Sequence, residues 1–335
     1  MRFAQKLISL AAVVWYLGLG AGISVSAPEA PAEDIPLPVA SDVVLGAPWS
    51  AKKATLQQLG ERYPSAEALY AHFSRIAAHR HQLNPAAMPD WSGVYERGIP
   101  SLRYDPDQND LGAEQVLPTA HLTPAGRKQY DRLMANLKKG IEYDEQLSSC
   151  LPAGVPRWFT EPYLRDFSIS PGETWLMNEL ANETRRVYTD GRDHPAPIDR
   201  YPLFDGDSIG FWDADGLVIH TNSLTVGNYQ RTEPDHTANA ELVEVWRKVD
   251  PQHLVAYVWV YDPKMLAKPW FTRQWYTKNP DKAFRINYYD CVGTPNTRVI
   301  KTRNGGSTFE DLNFDKDDKS KYESSPSPPT STKPK

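Results

Sequence analysis

The stretch RRVYTDGRDHP (185–195), followed after a short gap by FDGDSIGFWDADGLVIHT (204–221), decides the fold of this chain. It reads as three β-strands joined by turns. Side chains alternate along a strand, so in the last of the three Leu217, Ile219 and Thr221 share one face and Val218, His220 and Asn222 the other. Asp213, Ala214, Asp215 and Gly216, between SIGFW and LVIHT, form a hairpin signature. Upstream, TWLMNEL pairs in the same way with TRRVYTD, and DWSGVYE is the first strand. Downstream, AELVEVWRKV and LVAYVWVY flank Asp250, Pro251, Gln252 and His253, and WFTRQWY and FRINYY complete the set. Eight or nine strands at hairpin spacing, with the helices gathered towards the N-terminus, exclude an alternating parallel α/β sheet. The expected architecture is mainly β: an antiparallel up-and-down barrel enclosing a cavity, since closure removes exposed edges, with a sandwich as the rival.

Around this core the chain divides by composition. Residues 1–27, MRFAQKLISLAAVVWYLGLGAGISVSA, put Arg2 and Lys6 ahead of an apolar run and then small residues, the order of an export signal. A periplasmic or secreted protein is expected, with no membrane span once the signal is removed, because no later run is long and apolar enough. Residues 28–50 are a Pro/Ala-rich lead-in. Residues 51–85 show helical spacing on either side of Pro64, with Ser65 as the second N-cap; His72, His79 and His81 on this segment read as solvated. Within HLTPAGRKQYDRLMANLKKG, Thr123 is an N-cap with Pro124 at the first helical position. The barrel is expected over 90–300 and a disordered, Ser/Pro-rich tail over 301–335.

The net charge of -5, with no basic stripe, removes the electrostatic footprint that a duplex nucleic acid needs. In an exported chain the two cysteines, Cys150 and Cys291, are expected to pair, which would stabilise by roughly 4 to 5 kcal/mol in the chain-entropy picture. Ten Trp and 17 Tyr suit half-buried strands or the wall of a ligand cavity.

DWSGVYE, CLPAGVPR, RRVYTDGRDHP, GDSIGFW with LVIHT, and DPKMLAKPW stand in an order that resembles a family of exported bacterial β-barrel proteins. The resemblance covers roughly Asp90 to Cys291 and implies a lipocalin-like barrel, but carries no reaction with it. An acidic residue in the strand after His236 falls on Glu244, which here precedes Val245 and not an arginine.

The chemistry-bearing groups crowd the central stretch. His194 is a candidate general acid or base, held through its second nitrogen by Asp190 or Asp207, with Arg192 to bind an anionic group and His220 facing the same cavity. Arg186, Tyr188, Asp207, Trp212, His236 and Glu244 are candidate ligand contacts. His194, His220 and His236 have no compact metal-ligand spacing, and CxxC and HExxH motifs are absent, so neither metal nor cofactor is expected. A cofactor-free elimination, hydration or isomerisation on a small apolar or aromatic molecule follows as the leading expectation. A carrier of a hydrophobic ligand and an envelope interaction protein are the alternatives.

Overall fold

The protein is described here from a computed structural model, which covers residues 49–97, 121–139, 150–289, 299–301 and 307–309, apart from 78–79, 82, 87, 215 and 231–232. The expected signal (1–27), most of the lead-in, Cys291 and nearly all of the tail lie outside the described residues. Nine strands form the wall: β1 (Tyr95–Arg97), β2 (Arg165–Ile169), β3 (Glu173–Asn178), β4 (Glu183–Tyr188), β5 (Asp207–Asp213), β6 (Gly216–Asn222), β7 (Glu241–Asp250), β8 (His253–Tyr261) and β9 (Trp270–Lys278). Each pairs with the next in chain order, and β9 returns to pair with β1, so the sheet closes on itself. The expected barrel is present.

It is not purely antiparallel. The pairing of β4 with β5 is parallel, with Val187 opposite Ser208 and Tyr188 opposite Ile209, whereas every other neighbouring pair in the wall is antiparallel. Geometry requires this correction. Around a closed ring the strand direction must return to itself, so the antiparallel steps must be even in number, and nine strands leave at least one parallel step. The connection 189–206 therefore cannot be a tight hairpin. It runs back along the outside of the wall, carrying His194 with it.

Among the described residues the inward faces carry a packed aromatic core. Trp91, Trp158, Trp212 and Trp246 are fully buried and touch one another, with ring centroids 5.1 Å apart for Trp91 and Trp212 and 6.1 Å for Trp158 and Trp246, while Trp246 stacks on Tyr276 at 5.3 Å. Leu217, Ile219, Leu242, Ala256 and Val258 complete this core. Burial of each large ring or branched side chain contributes about 1.5–3 kcal/mol. Indole rings thus occupy the interior in which a ligand cavity was expected. Arg185 also points inwards, donating to both carboxylate oxygens of Glu244 (2.5 and 3.1 Å) and to the hydroxyls of Ser208 and Thr221. Trp246 Nε1 donates to the same carboxylate.

Helices pack on the outer wall. α1 (Trp49–Glu61) and α2 (Ala66–Ile76) are separated by Pro64, and Ser65 Oγ accepts from the Ala68 amide as the cap of α2. Leu59, Leu69 and Phe73 are buried between these helices and the sheet, with Phe73 against Trp259 at 5.5 Å. Gly60 admits the approach, because a Cβ there would lie 2.5 Å from the Trp259 ring. His72 is buried beside Tyr63, contrary to the solvated position expected. α3 (Pro124–Leu137) is capped by Thr123 as the sequence implied and docks on the β8–β9 connection through Thr123 Oγ1 donating to the Lys264 carbonyl.

Two strand assignments change. RDFSI, which the sequence reading passed over, is β2, and FRINYY carries no strand. A hairpin of Val299–Lys301 with Ser307–Phe309 takes up the first residues of the expected tail.

Candidate functional site

The outward faces of β5, β6, β7 and β8 meet beneath α2. Register places Asp207 opposite Asn222, Ile209 opposite His220, His220 opposite Val243, and Glu241 opposite Tyr261. Asp207, His220, Glu241 and Tyr261 therefore share the outer surface at one end of the wall. Tyr70 of α2 stacks on the His220 ring at 5.5 Å and packs on Phe211, closing the site from above.

His194 arrives from the return connection. Leu203 pins that connection to the sheet, its amide donating to Ser223 O and its carbonyl accepting from Thr225 N. Gly206 then turns the chain into β5 with φ +65°, and a Cβ there would fall 2.3 Å from the Asn222 carbonyl oxygen, so no larger residue fits.

The result is a file of four titratable side chains. His194 Nδ1 is in close hydrogen-bond contact with Asp207 Oδ1, His194 Nε2 lies 2.8 Å from His220 Nδ1, and His220 Nε2 lies 3.6 Å from Glu241 Oε2. Exposure rises towards both ends. The His194 and His220 side chains are 9% and 4% exposed, Asp207 21% and Glu241 34%. No protein-family model matches the chain, and no curated protein matches it either.

Proton placement follows from the donors available. A carboxylate only accepts, so His194 Nδ1 donates to Asp207 and His194 Nε2 is left to accept from His220 Nδ1. That leaves a lone pair on His220 Nε2, which is buried without a hydrogen-bond partner and faces Glu241. Such chains polarise cooperatively where water is excluded. His220 Nε2 is therefore the ring nitrogen of the file left without a hydrogen bond. His194, with both nitrogens engaged, orients it.

Beyond Glu241 lies a partly open groove of about 450 Å³, lined by Tyr63, Pro64, Asn239, Tyr261 and Lys268 among others. Glu241 was not among the sequence candidates. Glu244 was, yet the two are three positions apart in one strand and so point to opposite faces. The pairing of Val243 with His220 and of Val245 with Val218 is what puts Glu241 on the outward face, and that register is a property of the fold that the sequence alone does not carry.

The remaining candidates lie elsewhere. Arg186 and Tyr188 face outwards, not into a cavity. The Arg186 guanidinium sits 4.5 Å over the Trp175 ring, and Arg192 sits 4.2 Å over Tyr188. Arg192 is tied to Asp190 by a bidentate ion pair on the surface, and its hydrogen bonds hold the Asp190 carboxyl below the ordinary carboxylate range. Asp190 thus caps its own turn, and the contact with His194 Nδ1 is made by Asp207. Trp212 and Glu244 belong to the barrel interior, Glu244 as the partner of Arg185, so neither is placed to touch a ligand in the groove. His236 is buried against Tyr229 with Nδ1 near the Thr237 carbonyl, and burial lowers its pKa. It does not join His194 and His220. Among the described residues no group of three His, Cys, Asp or Glu is arranged to hold a metal ion.

Proposed function

We propose that this exported protein performs a cofactor-free proton transfer, of the kind used in elimination, hydration or isomerisation, on a small molecule bound outside the barrel beside Glu241. The observation that carries this reading is the file running from Asp207 through His194 and His220 to Glu241. It leaves one buried imidazole nitrogen without a hydrogen bond behind Glu241, whose carboxylate lines the groove. A general acid or base of this kind contributes about 10²–10⁴-fold. An apolar or aromatic body would lie against Tyr63 and Tyr261. The rings that fill the interior weigh against the carrier alternative, and the lipocalin-like resemblance is retained for the closed wall alone.

The test uses solvent deuterium. The full chain is incubated in D2O with an extract of small molecules, the extract is returned to H2O so that only carbon-bound deuterium is kept, and mass spectrometry records which molecules have gained mass. Wild type should label a defined molecule that His220→Gln labels at least about 100-fold more slowly. Identical labelling by the two proteins would overturn the proposal.

A second reading, an envelope interaction protein, is favoured by one observation: Ile198 and Tyr201 on the return connection are 90% and 69% exposed. Under that reading Ile198→Ser would abolish capture of a partner and leave labelling untouched.

A further inference from the structure

The groove beside Glu241 carries more information than its volume. Its acidic lining is Glu61, Glu241 and Asp262 against the single cation Lys268. Two of the three carboxylates are already satisfied. Lys268 Nζ lies 2.9 Å from Glu61, whose other oxygen accepts from Gln57, and Asp262 accepts from Tyr229 Oη, Thr237 N and Thr237 Oγ1. Glu241 is different. Among the described residues its carboxylate has no hydrogen-bond donor, and the ring nitrogen it faces is His220 Nε2 at 3.6 Å, an atom that is itself buried and without a hydrogen bond. The walls to either side are flat and stiff. The Tyr261 hydroxyl is fixed to the Gly60 carbonyl at 2.8 Å, which leaves its ring as a surface, and Pro64 and Tyr63 stand among the other lining residues.

We infer that the substrate class of this site is a small organic amine, protonated in solution, carried on a flat or aromatic body. The inference rests on the acid/base reading of His220 given above. A partly exposed carboxylate lacking a donor attracts an ammonium group, and tyrosine rings accept the adjoining apolar body and favour positive charge near their faces.

Benzylamine, benzyl alcohol and benzoate separate the contributions, since they share the ring and differ in charge. Their binding to the full chain is measured by calorimetry at neutral pH and low salt. Benzylamine should bind about tenfold more tightly than benzyl alcohol, with benzoate weakest, and Glu241→Gln should remove about that factor for the amine alone. Added salt should weaken the amine and spare the alcohol. Because Glu241→Gln alters the first residue of β7, Lys268→Gln serves as a second variant: releasing Glu61 should tighten benzylamine. Equal affinity for amine and alcohol, or an unchanged Glu241→Gln, overturns the substrate class even if His220 still governs deuterium labelling. Intact amine selectivity with labelling unaffected by His220→Gln overturns the acid/base reading instead, and leaves the groove as an amine-binding site.

Discussion

At the scale of the residue, the carboxylates of this chain separate by which face of the wall they occupy. Glu244 and Arg185 are an enclosed pair with every oxygen of the carboxylate engaged. Removing one partner strands the other in the core, so Glu244→Ala should cost about 3–5 kcal/mol in a urea titration, whereas joint replacement of Arg185 and Glu244 by Met should cost much less. Equal losses would mean that the pair is not the unit. A second pair answers to pH. Glu183 accepts from Gly154 N and Asn178 Nδ2 and is hydrogen-bonded to Asp205, whose carboxyl burial first and the Glu183 charge next push well above the usual range. The folded state then keeps a proton that the unfolded chain loses above about pH 4, so stability falls as pH rises from there towards the raised value. Asp205→Asn should flatten this slope; a slope that survives the substitution would place its origin in another group. The sequence supplied the identities of Asp207, His194 and His220 because they crowd one motif. It withheld Glu241, since a strand's alternation says that two faces exist and not which of them turns inwards.

At the scale of the element, strands rich in Val and Trp were legible and those that borrow their hydrogen bonds were not. β2 was missed because Arg165 occupies an inward position. That charge is matched by the carbonyls of Trp158, Tyr163 and Glu161 and by Asn178, and it lies 4.4 Å over the Trp158 ring, which no alternation pattern reveals. The opposite error is the segment 284–289, whose alternation is strand-like. It is held instead by side chains of the β3–β4 turn, with Asn287 N donating to Glu179 and Asn182 bonding the Tyr289 backbone in both directions. The cover of the site is also an element, α2, and its removal is testable. Tyr70→Ala should expose His220, so that diethylpyrocarbonate modifies it at least as fast as the partly exposed His253, whereas in wild type His220 should react far more slowly. Equal rates in wild type would mean that Tyr70 does not shield it.

At the scale of the whole molecule, barrel closure was legible from strand number and spacing, and the filled interior was not, because aromatic strands serve a packed core and a ligand cavity equally well. The ring is uneven. β1 touches β2 at one register position, Tyr95 opposite Arg165, and β9 at three, while β7 and β8 share nine. Amide exchange should therefore be fastest along β1 and slowest in β7 and β8, since local opening follows the number of contacts that must break. Uniform protection around the ring would contradict a seam there.

A wall of nine also constrains how this architecture could be altered. Strands inserted or deleted as complete hairpins leave the parallel step where it is. A change of a single strand makes the count even and allows β4 to turn straight back into its neighbour, and the long return connection is then no longer obligatory. His194 rides on that connection, so the site is tied to the parity of the barrel that bears it.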